Sequence, residues 1–426
     1  MKSNWTELTI NDVCSVTDCQ HKTAPTLDID TEYRMLRTAN IRNGQLRDVD
    51  ETKSVTKEIY DQWSVRGYLI PGDVILTREA PMGEVALLRE NEKYKYFLGQ
   101  RMLQLKASPK VITPEFLYYS LQTKELQHQI MMNEGTGSVV SNIRIPLLKK
   151  MKLFVPTLSE QKKITKLLID IDNKILLNKK IIVNLEQLSQ TFFKHWFIDF
   201  EFPNEEGQPY KSSGGEMVES ELGEIPKDFT LRLLNDICEV KDGTHDSPKQ
   251  VETGYPLVTS KHLKANEIDF STTKLISEDD FVKVNKRSLV EYKDILISMI
   301  GTVGRLYFVQ EHHVNYAIKN IGLIKSSQTE IAEFIYMYFK SPFMINYIKE
   351  RMTGSTQQYI SLTELRKIPV IYPNKEIIEL YLETCKVNFD MIYNLTKENQ
   401  KLTQLRDTLL PKLLSGEIEI PDELEV

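Results

Sequence analysis

The sequence predicts an α+β protein: two mixed α/β modules, separated by two long antiparallel coiled-coil helices, related by a pseudo-twofold internal repeat. Three observations carry that reading. Matching segments recur in the two halves, in the same order and at a nearly constant offset. Short β-branched or aromatic runs, broken by Gly, Pro, Asn and Asp, fill each half. After each half the apolar period changes from strand-like to helical.

The repeat comes first. Residues 72–88 read GDVILTREAPMGEVALL and residues 293–309 read KDILISMIGTVGRLYFV, which places Asp73 on Asp294 and Gly83 on Gly304 at an offset of 221. Upstream, WTELTINDVCSV from Trp5 matches FTLRLLNDICEV from Phe229 at an offset of 224. Downstream, LLKKMKLFVP from Leu147 matches ELRKIPVIYP from Glu364 at an offset of 217. A period this long is a domain-sized duplication, not a solenoid unit. It predicts two similar, non-identical sites. The offset drifts through the globular parts and then holds at 217, so the helices tolerate no insertion.

The elements follow in order. Residues 1–157 form the first module, with runs such as Tyr68-Leu69-Ile70, a Pro71-Gly72-Asp73 turn and then Val74-Ile75-Leu76. Helical stretches are predicted near 114–132 and, in the second copy, 330–351. Residues 158–200 form a central spacer helix. Its apolar residues step by four and three through Ile164, Leu168, Ile171, Ile175, Ile182 and Leu185, then Leu188, Phe192 and Trp196 after a slip. From Gln161 to Trp196 such a helix is ~54 Å long at about 1.5 Å per residue, the length of a coiled coil.

Residues 201–226 read as an acidic linker, with Glu201, Glu205, Glu206, Glu216, Glu219, Glu221 and Glu224. Residues 227–374 are the second module, and 375–426 the C-terminal spacer helix and tail. That helix carries Tyr381, Cys385, Asn388, Ile392, Leu395, Asn399, Leu402, Leu405, Leu409 and Leu413 at the spacing of the first, with Pro411 bending its end and Gly416 stopping it. Antiparallel pairing about the midpoints brings Asn178 opposite Asn399. Each is a polar residue in a largely apolar seam, and a buried Asn pair fixes register because a slip strands an amide.

Composition narrows the class. A chain of 426 residues has room for two or three domains with their own cores. With 54 Lys+Arg against 60 Asp+Glu, the formal charge of −6 does not suggest a stand-alone nucleic-acid binder. If the chain holds DNA, it does so with a partner. Cys14, Cys19, Cys238 and Cys385 form no CxxC pair and are expected in the cores. With neither a signal-peptide-like start nor an apolar membrane-length run, the expected location is the cytoplasm.

Further motifs join the Asp73–Gly83 run and its Asp294–Gly304 counterpart: Gly135–Ser138 (GTGS) stands against Thr353–Thr356 (TGST). VPTLSEQKKI enters the first helix, WFIDFEFP leaves it, SELGEIPKDF restarts the second copy and LLPKLLSGEI ends the last helix. In these motifs and their order the chain resembles the specificity subunit of a type I restriction–modification system. The resemblance implies two target-recognition domains, each reading half of a bipartite, asymmetric site in double-stranded DNA, with the helices setting the unread spacer. It further implies a chain without catalysis or cofactor of its own. The partners it implies are two modification subunits, which use S-adenosylmethionine to methylate adenine, and restriction subunits, which use ATP and Mg.

The motifs agree with a non-enzyme. No Pro-Pro dipeptide, P-loop or HExxH is present, and Glu51-Thr52-Lys53 lacks the preceding Pro-Asp of a nuclease site. No metal-ligand spacing is seen among the His residues. Three rival readings remain open here: a combined restriction–methylation enzyme, a helical scaffold without DNA binding, and the specificity subunit of a two-subunit type II system.

Base edges are read by bidentate or amide-bearing side chains on loops, whereas phosphates need only Lys, Arg, hydroxyls or backbone N–H. Four places per module fit. His21, Lys22 and Thr23 match His245, Asp246 and Ser247; Arg37, Asn40 and Arg42 match Ser260, Lys261 and His262. Arg78, in Thr77-Arg78-Glu79, aligns with Met299, in Ser298-Met299-Ile300 of the second copy, a polar and an apolar reader at one position. Ser138, Asn142 and Arg144 match Ser355, Thr356, Gln357 and Gln358.

Overall fold

The computed structural model describes residues 5–28, 30–79, 81–90, 93–132, 142–264, 267–354 and 358–420. They divide into two units, residues 1–177 with 399–426 and residues 178–398. Each unit contains one module and a piece of both long helices.

In the first unit a four-stranded antiparallel sheet runs in the order Cys14–Asp18, Met102–Ala107, Val74–Thr77, Val85–Leu87. Alternate residues go to different cores, as a pleated strand requires. Val74, Leu76, Leu103 and Leu105 pack with Phe116, Leu117 and Leu121 of the helix Pro114–Leu121. Ile75, Ala86 and Met102 face the other way, toward Leu36 and Leu98. Those two lie in a second sheet, ordered Lys53–Ser54, Tyr33–Leu36, Lys95–Leu98, whose last pair is parallel. The helix starts where its chemistry says it should: Thr113 Oγ1 accepts from Phe116 N, and Pro114 opens the first turn.

The second unit repeats this plan. Its four-stranded sheet is ordered Val240–Asp242, Ile321–Ile324, Ile295–Ser298, Leu306–Phe308, beside a three-stranded sheet of Lys274–Ile276, Tyr255–Thr259 and Ala317–Lys319 with one parallel pair. The repeated Asp has a structural task in both. Asp73 Oδ2 accepts from Ile70 N and Gln104 Nε2, and Asp294 Oδ2 from Glu291 N and Lys325 Nζ. Each buried carboxylate thus ties a turn to a sheet partner. Gly83 and Gly304 are turn glycines, with φ of 88° and 86° that a side chain would strain.

The long helices are Leu158–Phe197 and Lys375–Leu414, each of 40 residues. In the first unit Ile164 and Leu168 share a core with Leu413 and Leu414, and Arg406 Nη1 donates to Asp172 Oδ1 at 3.1 Å. In the second, Tyr381 Oη donates to the Ser189 carbonyl and Asn388 Nδ2 to Ser189 Oγ. Rising numbers on one helix meet falling numbers on the other, so each piece is antiparallel.

The expected seam holds through Ile182, changes over Leu188 and Phe192, and is met again at the buried Trp196. Leu188 is 45% exposed and Phe192 half-buried, while Glu186, Ser189, Phe193 and Phe197 are buried. Aromatic packing sets this phase: Phe193 lies 5.0–5.8 Å, centroid to centroid, from Phe197, Phe334 and Tyr381. The small Ser189 then admits the Tyr381 hydroxyl.

The segment after the central helix is ordered, contrary to the loop expected from its acidity. Phe202 stacks on Tyr210 and Phe229, and Met217–Ser220 pairs with Gly223–Pro226 as a hairpin. Its aromatic residues outweigh its acidic ones, because the acids stay at the surface while Phe200, Phe202 and Ile225 enter the core.

Candidate nucleic-acid interface

The candidate loops gather at the ends of the sheet strands. In the first domain Asp18 closes the strand Cys14–Asp18, and His21 Nε2 stands 3.1 Å from its Oδ2. Arg78 Nη1 donates to both Asp18 oxygens at 3.1 and 2.9 Å, and Arg78 Nε donates to Asn142 Oδ1 and the Ile143 carbonyl at 2.6 and 3.0 Å. Three of the four expected places in this domain, around His21, Arg78 and Asn142, therefore meet. The loop is pinned from outside as well: Gln100 Nε2 donates to the His21 carbonyl, Trp63 Nε1 to that of Lys22 and Arg66 Nη1 to that of Cys19. Backbone anchored this way leaves His21, Lys22 and Thr23 exposed.

In the second domain Asp242 closes its strand, with His245 Nε2 at 2.8 Å from Oδ2 and Arg287 Nη2 on Oδ1. His245 Nδ1 lies 2.8 Å from Asn320 Oδ1, and Ser260 Oγ donates to the Asn320 carbonyl. Asn320 has φ of 52°, a turn conformation that Asn tolerates better than most residues. Lys319 Nζ donates to Ser247 Oγ. Near Met299 the pairing is backbone to backbone: Ile360 N donates to the Met299 carbonyl and Gly301 N to that of Gln358.

Several expected readers turn inward. Asn40 is buried, its Oδ1 accepting Arg37 N at 2.9 Å and its Nδ2 donating to the Arg47 carbonyl. His262 is buried in the equivalent turn and its Nδ1 accepts Thr259 N at 2.9 Å. Burial, with Lys261 nearby, lowers its pKa below the usual histidine value. Ser298 is also buried, donating to the Thr302 carbonyl and accepting Arg305 N. These groups satisfy turn N–H and C=O groups that would otherwise be buried unpaired.

Arg78 departs from its expected role for the same reason. Its side chain is 15% exposed and committed to Asp18, Asn142 and Ile143, while Met299 is buried. At this one position the contrast is an arginine clamp in the first domain and a backbone bridge in the second, whose own arginine, Arg287, comes from another element.

The side chains left facing solvent are His21, Lys22, Thr23, Arg37 and Arg144 in the first domain and His245, Asp246, Ser247, Lys261 and Gln358 in the second. Arg42 is half-buried, 3.8 Å from Glu84. Ser138, Ser355, Thr356 and Gln357, with the Gly135–Ser138 motif, lie outside the described residues. Sequence reasoning missed Asp18, Asp242, Arg287 and Asn320. An Asp-x-x-His spacing recurring at the offset of 224 was the available signal for the first two; Arg287 had none, because its counterpart comes from another element.

Asn178 is fully buried and donates to Glu398 Oε2 at 2.6 Å, one residue before Asn399. Cys14 and Cys238 sit in the cores, and burial pushes both thiols up to about 12. Among the described residues no three His, Cys, Asp or Glu side chains group as a metal site, and no helix is long and apolar enough to cross a membrane.

Two copies of one fold, each with exposed polar and cationic loops, define a tandem-repeat protein. A family model described as the type I restriction modification DNA specificity domain matches residues 2–187 and again residues 226–407. The chain belongs to this family, and carries its domain twice. It is 24% identical over 401 residues to the type I restriction enzyme HindI specificity subunit of Haemophilus influenzae, covering 82% of this chain and 86% of that one. It is 28% identical over 387 residues to the MjaIX specificity subunit of Methanocaldococcus jannaschii, covering 87% and 83%. The crystal structure of the type I restriction–modification S subunit from M. genitalium matches in fold, with a TM-score of 0.50 at 18% identity over 97% of this chain and 98% of that one.

Proposed function

We propose that this chain is the DNA-recognition subunit of a type I restriction–modification complex. Each domain reads one half of a bipartite, asymmetric site, and the two helices set the unread spacer and dock the modification subunits. The observation that carries the reading is one fold used twice with unlike exposed loops: His21, Lys22 and Thr23 in one copy, His245, Asp246 and Ser247 in the other. Like scaffolds with unlike rims suit two different half-sites.

The exposed Lys22, Arg37, Arg144 and Lys261 suit phosphates, which carry affinity without sequence. The chain's net charge of −6 supports a complex in which other subunits share that load. On the C-terminal helix Leu380, Val387 and Met391 are 45%, 73% and 46% exposed at spacings of seven and four, an apolar stripe suited to a partner helix. The chain does no chemistry in this reading. Methyl transfer belongs to the modification subunits and cleavage to the restriction subunits, all in the cytoplasm.

Methylome sequencing of cells carrying this chain with its partner genes tests the proposal. The expected result is one split, non-palindromic motif methylated on adenine. A short continuous motif, or methylation unchanged on deleting the chain, would overturn it.

A further inference from the structure

Asp18 and Asp242 stand at the same exit of the same strand, in copies that share few other polar residues at these loops. Each accepts from the histidine three positions on, through the same pair of atoms, Nε2 and Oδ2. Each also takes an arginine from a distant element, and here the copies diverge. Arg78 follows the strand Val74–Thr77, whereas Arg287 comes from the helix Glu278–Ser288.

Folding alone explains this poorly. The two imidazoles are 61% and 65% exposed, and an exposed pair of this kind adds little stability. The carboxylates are 20% and 6% exposed, so they are partly desolvated to hold a ring that stands in water. At His245 the other ring nitrogen, Nδ1, also has a near neighbour, Asn320 Oδ1 at 2.8 Å. The ring is oriented at both ends while its face stays accessible.

We infer that Asp18 and Asp242 are the positioning residues of the two recognition domains, each setting its loop histidine and the adjoining loop against its own half-site. This rests on the proposed reading of separate half-sites. The arginine completes each clamp by neutralising the carboxylate. In the first domain it also ties the Asn142–Ile143 segment to the same point.

The test uses the complex reconstituted from the full chain and its modification subunits, with duplexes carrying the methylome-defined site. Selectivity is the affinity for the full site divided by that for a duplex altered in one half. Asp18→Asn is expected to lower selectivity at the first domain's half-site about tenfold, the scale of one base contact, and to leave the other half unchanged; Asp242→Asn does the reverse. His21→Ala is on an exposed loop and keeps the test usable if Asp18→Asn unfolds. In the double variant the two losses should not add, because Asp18 acts through His21. Unchanged selectivity, equal loss at both halves, or additive losses would overturn the assignment. A wild-type complex without half-site selectivity would instead sink the reading beneath it.

Discussion

Asn40 and His262 close the same turn in the two domains with different chemistry. An amide oxygen accepts Arg37 N in one, and an imidazole Nδ1 accepts Thr259 N in the other, both at 2.9 Å. The amide does not titrate, and the imidazole must be neutral at Nδ1 to accept. Burial, then Lys261, lowers the His262 pKa in the folded state. Below about pH 6.5 the unfolded chain takes up a proton that the folded domain resists, so stability present above that pH is lost as pH falls. Thermal unfolding of the second unit should weaken between pH 8 and pH 5.5. His262→Asn, which copies the first domain, should flatten that dependence; an equally steep loss in the variant would contradict this.

Asp172 is buried at the junction of three elements in the first unit. It accepts from Tyr119 Oη at 2.6 Å and Arg406 Nη1 at 3.1 Å. Removing the cation leaves a nearly buried carboxylate with the tyrosine alone. Arg406→Ala is expected to cost about 3 kcal/mol in urea unfolding of this unit, against under about 1 kcal/mol for an exposed pair such as Lys152–Glu7. A loss under 1 kcal/mol would show that solvent replaces Arg406.

Gly243 opens the second domain's loop where it crosses its neighbour. A Cβ there would lie 2.4 Å from the Ile318 carbonyl oxygen, closer than any relaxed contact. Backbone must move to admit it, and Gly243 N also donates to the Ile321 carbonyl. Gly243→Ala should destabilise the second unit by about 1–3 kcal/mol. It should also weaken that domain's half-site while sparing the first. Methylation kinetics on half-altered duplexes would register the split.

The apolar stripe of the C-terminal helix allows the proposed partner docking to be tested apart from folding. Val387 and Met391 are exposed, so Val387→Asp with Met391→Asp should change the isolated chain's stability by only about 0.5 kcal/mol. Co-purification of the modification subunit should be lost. Retained co-purification would move the docking surface elsewhere.

How far the sequence could be read depended on whether a signal was periodic or local. The duplication, the sheets and both long helices were legible because each writes a repeating pattern: the offset, the pleat, the helical step. The helix phase beyond Ile182 was not, since Phe193 and Phe197 win the core over Leu188 by bulk, which spacing alone does not weigh. The hairpin Met217–Pro226 was hidden by its acids, which point to solvent while Phe202 and Tyr210 stack beneath. Among the candidate loop residues, which side chains turn inward was not legible. Asn40, His262 and Ser298 are the polar types that read bases, but the same hydrogen-bonding groups close turns, and only coordinates tell the two apart. Arg78 and Arg287 serve one task from unrelated positions, which no comparison of the copies could have paired.

The most direct measurement exchanges one domain. With residues 227–374 replaced by the matching domain of a related specificity subunit, the methylome should show one half of the motif altered, the other half retained and the gap between them the same length. A motif altered in both halves, or one whose gap changes with the exchange, would contradict the account.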